Sequence, residues 1–404
     1  MRELLLQILM LLAVASLAPA AVLLAQVGAA AWPHRRDRRP DVAALDAAVV
    51  PRPRVAVLVP AHDEASGVAF TVTTLRAQLA SGDRILVVAD NCTDDTAGIA
   101  RGAGAEVTER HDALRRGKGY ALDFGIRQLE AAPPEVVVVV DADCELHPGG
   151  LERLARVCRS TGCPVQALDL MRAPPGAGLK TRIAAFAWIV KNHVRPLGAH
   201  RLGLPCQLMG TGMAFPWALI RNAPLATGHL VEDMRLGLDL AAAGAAPVFC
   251  VDALVTSDFP TDAGGIADQR TRWERGHLGV IVREGPRALW QALRRRRLAL
   301  AAMVVDLSVP PLTLLVLLLL LQLLVDALAL FAGAGTLPLG IALAAFAMLG
   351  VAVGLAWARF GRETVSAVEI LGAPFYVLGK LPLYLRMFRR QKGEWVRARR
   401  DGSP

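Results

Sequence analysis

The sequence predicts an α/β domain with a mainly parallel sheet, flanked on both sides by transmembrane helices. The chain of 404 residues is 54% hydrophobic, and its mean hydropathy is +0.40. These values are too apolar for an ordinary soluble protein of this size, so part of the chain belongs in a membrane. The apolar excess lies at the two ends, whereas the middle alternates short apolar strands with helical segments.

The amino-terminal stretch, residues 4–32, carries no charged side chain. A helix of about 20 apolar residues crosses a bilayer, so this stretch is long enough to be a transmembrane anchor. A cleaved signal peptide is the alternative, but the apolar region of a signal peptide has only about 7–15 residues. The basic run HRRDRR follows at once and favours an anchor whose carboxyl end faces the cytoplasm.

Two further spans are predicted at residues 310–331 and 336–357, and the short sequence AGAG joins them into a hairpin. The run RRRR precedes the hairpin and ARFGR follows it, so the middle of the chain is predicted to be cytoplasmic and the amino terminus external. A fourth apolar stretch, residues 364–388, contains Glu, Lys and two prolines. We expect it to be interfacial or re-entrant.

The predicted organisation is therefore that of a multi-pass protein of the inner (plasma) membrane. Within the central domain, residues 179–203 and 277–300 mix apolar residues with Lys, Arg and Trp, which is typical of helices that lie on a membrane surface. The predicted domains are a transmembrane anchor (1–33), a basic linker (34–51), a cytoplasmic domain with interfacial helices (52–297), a transmembrane hairpin with an interfacial or re-entrant segment (298–387) and a basic cytoplasmic tail (388–404).

Charge and cysteine content exclude several classes of function. The net charge is +9, but the basic residues crowd beside apolar segments, where they match anionic lipid headgroups better than nucleic acid. The six cysteines show no CxxC pair and no Cys/His spacing typical of zinc sites. We therefore expect membrane lipids as partners, no nucleic acid, no structural zinc and no disulfide framework.

The central domain reads as strand, helix, strand, helix, strand, helix, strand from residue 54 to residue 145. Its strands are nearly unbroken runs of Val, Ile and Leu, which are buried on both faces of a parallel sheet covered by helices. Ligands bind beyond the carboxyl ends of such strands. Polar clusters stand where three of the strands end, HDE at 62–64, ADN at 89–91 and DAD at 141–143, so we expect all three at one edge.

The DAD cluster has a chemistry that suits a metal. Carboxylates repel a diphosphate unless a divalent cation lies between them, and Mg²⁺ typically binds one or two protein carboxylates together with phosphate oxygens. The nearby loop RRGKG, residues 115–119, places Lys118 where it can approach phosphates. Each feature also has a simpler interpretation, because Asp and Asn commonly form turns or cap helices after strands.

Further motifs follow in order: GTGMAF at 210–215, VEDMRLGLDLAAAG at 231–244 and QRTRWERG at 269–276. Together with VPAHDE, ADN and DAD, these motifs resemble a membrane-bound family 2 glycosyltransferase with the GT-A fold. Cellulose, hyaluronan and poly-N-acetylglucosamine synthases are similar in pattern, and ceramide glucosyltransferases are more distant. The resemblance covers about residues 52–285.

On the donor side, the resemblance implies that Asp63 and Asp90 hold the uracil and ribose of a UDP-sugar and that Lys118 assists. Asp141 and Asp143 match the DxD motif, which binds Mg²⁺ or Mn²⁺. One departure is the HDE cluster, where the family usually has Asn before Glu, so that Asp63 takes the place of that Asn. The implied nucleotide-sugar-binding set is Pro60, Asp63, Glu64, Asp90, Lys118, Asp141 and Arg272, and the implied metal ligands are Asp143 and Asp141.

On the acceptor side, Glu232 and Asp233 resemble the family's catalytic pair, VED here rather than TED, with Asp233 as general base. Acids at the start of a helix also stabilise its dipole, which is the simpler interpretation. The small residues Gly210, Thr211 and Gly212 would let backbone approach the acceptor closely, although a plain turn would look the same.

The QxxRW motif, Gln269, Arg272 and Trp273, places three side chains on one helical face. The resemblance implies that Arg272 contacts the diphosphate and that Gln269 and Trp273 serve the acceptor, with the indole as a platform beneath the sugar. An amphipathic interfacial helix with its Trp among headgroups is the alternative.

The predicted function is that of an inverting membrane glycosyltransferase, which moves a sugar from a UDP-sugar to a growing polysaccharide. About three spans are few for enclosing a polysaccharide channel, so an export partner or a homo-oligomer would be required. Non-processive transfer of one sugar to a membrane lipid acceptor is the main alternative. A non-catalytic scaffold should have lost the three aspartates, and a transporter should carry charges inside several spans.

Overall fold

The computed structural model describes residues 2–32, 51–228, 231–259, 274–378 and 381. The QxxRW residues Gln269, Arg272 and Trp273 lie outside the described residues. The chain divides into two compact units. We call the described parts of residues 51–174 and 204–303 the sheet unit, and those of 2–32, 175–203 and 304–381 the helical unit.

Eight strands and fourteen labelled helices make up the described chain. The strands are β1 Val55–Ala61, β2 Arg84–Asp90, β3 Glu106–Arg110, β4 Val136–Val139, β5 Glu145–Leu146, β6 Val165–Arg172, β7 Met213–Pro216 and β8 Val248–Asp258. The helices are α1 Arg2–Ala31, α2 Val68–Arg76, α3 Thr96–Gly102, α4 Lys118–Leu129, α5 Gly150–Thr161, α6 Leu179–Ile189, α7 Arg195–Arg201, α8 Trp217–Ile220, α9 Glu232–Ala243, α10 Gly285–Arg294, α11 Leu298–Leu307, α12 Leu312–Phe331, α13 Leu337–Ala356 and α14 Ala367–Leu378.

One eight-stranded sheet organises the sheet unit, with the strand order β3-β2-β1-β4-β7-β6-β8-β5. The first four strands run parallel, and β7 is antiparallel to both of its neighbours. The predicted succession of strands and helices up to β4 is therefore confirmed, with a mostly parallel sheet. The valines of β4 are buried throughout, because this strand lies inside the sheet and helices cover both faces.

The two faces of the sheet carry separate hydrophobic cores, and alternate valines of β4 supply both. Val136 and Val138 pack into one core with apolar residues of α2, α3 and α5. Val137 and Val139 pack into the other with apolar residues of α4 and α9. A buried sheet between two helical layers leaves the strand ends as the open edge, where polar residues reach solvent.

The helical unit contains three helices long and apolar enough to cross a membrane, Leu6–Ala31, Leu312–Phe331 and Leu337–Gly361. These coincide with the three spans expected from the sequence. The second is α12, and the third contains α13 and continues to Gly361. A short connection joins α12 to α13, and α1 packs against α13 and α7. Residues 175–203, with α6 and α7, belong to this unit.

A buried polar network joins three parts of the helical unit. Arg195 donates hydrogen bonds to the Asp306 carboxylate at 2.8 Å, to the Asp306 backbone carbonyl at 2.7 Å and to Gln26 Oε1 at 3.1 Å. Gln26 Nε2 donates to the same carboxylate at 2.7 Å. The three side chains therefore connect α1, α7 and α11.

Candidate active site

The ends of β1 and β2 are fixed together at one edge of the sheet unit. His62 Nδ1 lies 2.7 Å from the backbone oxygen of Asp90, so the residue that precedes Asp63 bridges the two strands. Pro60 is half-buried in β1 and stands opposite Val88 of β2. The expected meeting of the HDE and ADN clusters is thus observed.

The Asp63 carboxylate anchors the turn that follows β2. Its Oδ1 accepts the backbone N–H groups of Thr93 at 2.5 Å and Asp94 at 3.3 Å. Burial alone would raise the pKa of Asp63, but the Thr93 N–H and His62 lower it below its ordinary value. Next to it, the backbone N–H of Glu64 donates to Thr96 Oγ1 at 2.8 Å. Asp63 therefore holds the 91–96 turn in place, independently of any contact with a ligand.

Asp90 forms a buried ion pair with a residue that the sequence motifs did not single out. Its Oδ1 lies 2.6 Å from Arg110 Nη1, and the two side chains are only 8% and 10% exposed. Asn91 Nδ2 donates to the same oxygen at 3.0 Å. Arg110 is the last residue of β3 and pairs with Asp90 in the strand register, which is a spatial relation that sequence spacing alone does not reveal.

The DAD turn is held from two directions. Thr71 Oγ1, buried in α2, lies 2.9 Å from the backbone oxygens of both Ala142 and Cys144. On the other side, the backbone N–H of Asp141 donates to Thr211 Oγ1 at 3.1 Å. Neither threonine hydroxyl was predicted to position this turn, although Thr211 was predicted as an acceptor residue.

Asp141, Asp143 and Cys144 form a group whose potential ligand atoms all lie within 4.8 Å of one another. Burial, followed by the negative charges of Asp143 and Asp141, raises the pKa of the Cys144 thiol well above its ordinary value, so the thiol stays protonated. Mg²⁺ and Mn²⁺ prefer carboxylate oxygens to thiols. The group therefore suits these ions through Asp141 and Asp143, as expected from the sequence.

Lys118, at the start of α4, links the DAD turn to the acceptor-side motifs. Its Nζ donates to the Asp141 carboxylate and, at 2.8 Å, to the backbone oxygen of Gly210. Burial alone would lower the pKa of Lys118, but the charges of Asp141, Glu232 and Asp233 raise it. The ammonium group therefore remains charged beside these three acidic side chains.

The segment Gly210-Thr211-Gly212 requires both of its glycines. Gly210 and Gly212 have φ values of +96° and +63°, which side chains rarely adopt. A Cβ on Gly210 would lie 3.5 Å from Asp233 Oδ2 and 3.6 Å from Lys118 Nζ. Asp233 and Lys118 consequently flank Gly210 closely, so this segment stands between the donor-side and acceptor-side charges.

Glu232 and Asp233 open α9, where the helix dipole favours negative charge. Burial raises the pKa of Glu232, the neighbouring charge of Asp233 raises it further, and Lys118 opposes both. The pair thus combines two carboxyl groups whose proton affinities are coupled. Such an arrangement can hold one proton and leave one carboxylate as a base.

The structure brings most of the predicted residues into one region. Lys118, Asp141, Gly210, Glu232 and Asp233 are linked through direct contacts or charge interactions. The remaining predicted residues within the described chain lie at the β1 and β2 ends, at the DAD turn or in the 210–212 segment. Sequence reasoning missed Thr71 and Arg110, which position parts of the site, because neither belongs to a motif. The one available signal for Arg110 was its place at the end of a strand, just before the loop that carries Lys118.

A comparison with known proteins found a relative that matches part of the chain. An uncharacterized protein of Methanocaldococcus jannaschii is 34% identical over 100 residues, which is 25% of this chain and 40% of the relative. The chain therefore matches well under two thirds of that relative's length.

Two solved structures of proteins with bound nucleotides and metals resemble this chain in part. The mannosyltransferase PcManGT from Pyrobaculum calidifontis, with GDP-Man and Mn²⁺, is 19% identical at a TM-score of 0.48, over 93% of this chain and 95% of its own. Glucosyl-3-phosphoglycerate synthase from Mycobacterium tuberculosis, with Mg²⁺ and UDP, is 23% identical at a TM-score of 0.38, over 57% of this chain and 82% of its own.

Most of the sheet unit matches a known protein family. The model of the glycosyltransferase-like family 2 matches residues 51–276, which is more than half of the chain's 404 residues. This range contains the parallel half of the sheet, the DAD turn and the Glu232-Asp233 pair. The chain therefore belongs to the glycosyltransferase-like family 2.

Proposed function

We propose that this protein is an inverting membrane glycosyltransferase that transfers a sugar from a UDP-sugar to a growing polysaccharide. The main observation in support of this proposal is that Lys118 and Gly210 connect the DAD turn to Asp233. Lys118 contacts both Asp141 of the DAD turn and Gly210, and Gly210 lies beside Asp233. A donor held at Asp141 and an acceptor held at Asp233 would therefore meet at one place.

The chain's own acidic residues would carry out the transfer. Asp233, as general base, removes the proton from an acceptor hydroxyl while that oxygen attacks the anomeric carbon. The new glycosidic bond forms as the bond to the nucleoside diphosphate breaks, and one displacement inverts the anomeric configuration. Asp141 and Asp143 would hold Mg²⁺ or Mn²⁺, which supplies positive charge to the leaving diphosphate. Lys118 adds a second positive charge on the same side.

The membrane location is part of the proposal. Three helices can cross a bilayer by length and composition, and the basic residues beside them favour a cytoplasmic sheet unit under the positive-inside rule. A cytoplasmic site has access to nucleotide sugars. We therefore place the protein in the inner membrane, as a multi-pass enzyme whose partners are its donor, its acceptor and membrane lipids.

The acceptor has two candidate classes. The sequence motif QxxRW supports a growing polysaccharide, and this version requires an export partner or a homo-oligomer. The second candidate is a single transfer to a lipid acceptor at the membrane surface. It is favoured by the three candidate spans among the described residues, because so few helices are a poor enclosure for a polar polymer.

A donor panel distinguishes these candidates. The purified full-length protein, in detergent or lipid nanodiscs, is given UDP-sugars and GDP-mannose with Mg²⁺ or Mn²⁺, and nucleotide release and product size are measured. A long polymer with a UDP-sugar supports the leading proposal, and a lipid carrying one sugar supports the second. Use of GDP-mannose alone would contradict the UDP assignment, and absence of nucleotide release with every donor would contradict both proposals.

The metal assignment has its own variant. Asp143→Ala should lower transfer at least about a hundredfold, because it removes half of the predicted metal ligands from the chain. Asp258→Ala is the matched control, since Asp258 is 69% exposed at the end of β8, and it should retain wild-type turnover. Mn²⁺ binding, followed by electron paramagnetic resonance, should weaken only in Asp143→Ala. Equal activity and Mn²⁺ affinity in the two variants would remove the metal role from Asp143.

A further inference from the structure

Gln166 is a buried amide inside the sheet, and it belongs to none of the motifs that the sequence shows. The residue is 0% exposed. It lies in β6, where it stands opposite Met213 of β7 and Phe249 of β8. A buried amide is costly unless its hydrogen bonds are made, and an apolar side chain would fill the same position at lower cost. The value of this side chain to the protein therefore lies in its hydrogen bonds.

The amide of Gln166 binds the backbone on both sides of Gly210. Its Nε2 donates to the Thr211 carbonyl at 2.9 Å, and its Oε1 accepts the backbone N–H of Met209 at 2.8 Å. Nε2 also donates to the Ala167 carbonyl in its own strand at 2.9 Å. Both amide hydrogens and the oxygen are therefore used. One side chain thus holds the backbone before and after Gly210 against β6.

The 209–212 segment precedes β7, which begins at Met213. Both of its glycines have positive φ values, so the backbone turns twice and cannot continue as a regular strand. At its end, the backbone N–H of Ala167 donates to the Gly212 carbonyl at 2.8 Å. The side chain of Gln166 therefore supplies hydrogen bonds that a neighbouring strand would supply in a regular sheet.

The segment that Gln166 holds contacts the donor side at two points. The Gly210 carbonyl accepts a hydrogen bond from Lys118 Nζ at 2.8 Å, and Thr211 Oγ1 accepts the Asp141 backbone N–H at 3.1 Å. These contacts set the distance between the segment and the DAD turn. A shift of the 209–212 backbone would therefore change how the two sides of the site face each other.

We infer that Gln166 is a positioning residue, which holds the 209–212 segment in the alignment with the DAD turn that transfer requires. This inference rests on the proposed function, because it takes the segment to contact the acceptor. Gln166 is fully buried and acts through the backbone that it binds. Thr71 separately holds the DAD turn, so the donor should remain bound when Gln166 is lost.

Misalignment of the acceptor leaves water as the competing nucleophile, because the site no longer favours the acceptor hydroxyl by position. The water oxygen would form the bond to the anomeric carbon as the bond to the diphosphate breaks, and Asp233 would take the proton. Loss of Gln166 should therefore convert part of the transfer into hydrolysis of the donor.

The test compares nucleotide release with sugar incorporation in full-length Gln166→Met. The donor is the nucleotide sugar that gives product with the wild-type protein in the donor panel. Sugar incorporation should fall about ten- to a hundredfold, as for a reacting group displaced by about 1 Å, and the nucleotide released per incorporated sugar should rise at least about fivefold. The dissociation constant of UDP or GDP, whichever that donor carries, should change less than about threefold with Mn²⁺ present.

Gln78→Met is a closely matched control. Gln78 Nε2 donates to the Leu146 carbonyl at 2.7 Å and to the Thr74 carbonyl at 3.4 Å, and its Oε1 accepts the Leu151 N–H at 3.3 Å. This variant also loses two donated hydrogen bonds and one accepted hydrogen bond to backbone in the sheet unit, but away from the 209–212 segment. It should destabilise the protein and keep the wild-type ratio of nucleotide released to sugar incorporated.

The outcomes separate this inference from the proposed function. If Gln166→Met keeps the wild-type ratio, loses its affinity for the nucleotide, or matches Gln78→Met in excess release, Gln166 does not position the segment for transfer, and the proposed function stands. If the wild-type protein releases no nucleotide with any donor, the proposed function fails and this inference fails with it.

A second variant decides if Gln166→Met does not fold. Gln166→Asn keeps the amide on a side chain that is shorter by a methylene group, so it cannot reach all of its backbone partners at once. It should fold and show excess nucleotide release. A wild-type ratio in Gln166→Asn, together with wild-type sugar incorporation, would overturn the inference.

Discussion

The two neighbouring carboxyl groups at the start of α9, Glu232 and Asp233, lie in different surroundings. Glu232 is raised in pKa by burial and by Asp233, while Lys118 limits the rise. Asp233 stands beside Gly210, next to the proposed meeting point of donor and acceptor. A proton kept on Glu232 would reduce the repulsion that a deprotonated Asp233 meets, and would so keep Asp233 ionised for the role of base that we propose.

This difference predicts a pH-dependent change in stability. An acid whose pKa is higher in the folded protein than in the unfolded chain binds more protons when folded, so stability falls as pH rises. For Glu232 the loss begins near its ordinary pKa of 4.5 and is complete above the raised value. Glu232→Gln removes this loss. We expect the variant's stability relative to wild type to rise by more than about 1 kcal/mol between pH 5 and pH 8.

Thermal unfolding in detergent at several pH values measures the difference between the two proteins. Glu369→Gln is a useful control, because hydrogen bonds from Ser366 lower the pKa of that half-buried glutamate from its ordinary 4.5. The stability that its charge contributes is lost only as pH falls below this value, so the difference between this variant and wild type should stay nearly constant from pH 5 to pH 8. A difference between Glu232→Gln and wild type that stays constant over the range would show that Glu232 is not perturbed.

At the scale of elements, α4 sets the position of Lys118 relative to the acceptor-side segment. Gly119 follows Lys118 and packs against backbone: a Cβ there would lie 2.5 Å from the Leu225 oxygen and 2.7 Å from the Thr227 oxygen. One turn and a half further on, a Cβ on Gly125 would lie 2.4 Å from a methyl group of Leu58 in β1. α4 is therefore packed tightly between the sheet and residues 225–227.

Gly119→Ala should disturb the packing of α4 and, through it, the position of Lys118 in the site. The added methyl group cannot fit against two backbone oxygens, so α4 must shift and Lys118 must move relative to Asp141. We expect a loss of about 1–3 kcal/mol in stability and at least about a tenfold loss of transfer. Gly102→Ala in α3 is the matched control, since nothing lies within 4 Å of a Cβ there.

Turnover and thermal unfolding of both glycine variants are measured on the same preparation. Gly102→Ala should behave as wild type or be slightly more stable, because Ala favours helix more than Gly does. If Gly119→Ala matched it in both measurements, the close packing of α4 would not matter for the site.

The elements that the sequence predicted correctly are those whose signal is local. The strand runs of Val, Ile and Leu and the polar residues at their ends lie within single segments, so the parallel strands and the DAD turn followed from pattern alone. The partnership of Asp90 with Arg110 depends on which strands are neighbours and in what register. Likewise, the support that Thr71 gives to the DAD turn joins a helix and a turn far apart in sequence.

At the scale of the whole molecule, the predicted spans agree with the helices of the structure, because long uncharged runs have few alternatives. The sequence did not indicate that residues 175–203 belong with the helical unit. Their apolar residues predicted a membrane-surface segment, and Arg195 gave no sign of its buried partners. A Cβ on Gly198 would lie 1.9 Å from the Gln26 oxygen, so α7 approaches α1 more closely than composition could suggest.

The network of Arg195 should be important for the stability of the helical unit. Arg195→Leu leaves the Asp306 carboxylate and Gln26 amide without their shared partner in a buried position. We expect destabilisation of about 3–5 kcal/mol, as for other buried pairs that lose one member. Arg182→Leu is the control, because Arg182 is 43% exposed beside Glu369, and we expect at most about 1 kcal/mol there.

Unfolding of the two variants in the same detergent gives the comparison, and the difference between their unfolding midpoints is the quantity of interest. A larger effect at Arg182 than at Arg195 would mean that the buried network is not what holds α1, α7 and α11 together.

We propose that Asp233 acts on the acceptor while the donor is held elsewhere, and Asp233→Asn is the decisive variant for this division of roles. Steady-state transfer and the dissociation constant for UDP with Mn²⁺ are measured on the same full-length protein, with Asp123→Asn as a control, since Asp123 pairs with Arg127 on the outer side of α4. We predict that Asp233→Asn lowers the rate constant of transfer by at least about a thousandfold and changes UDP affinity less than about threefold. Near-normal transfer by Asp233→Asn, or a loss of UDP binding that accounts for all of its lost activity, would contradict the claim.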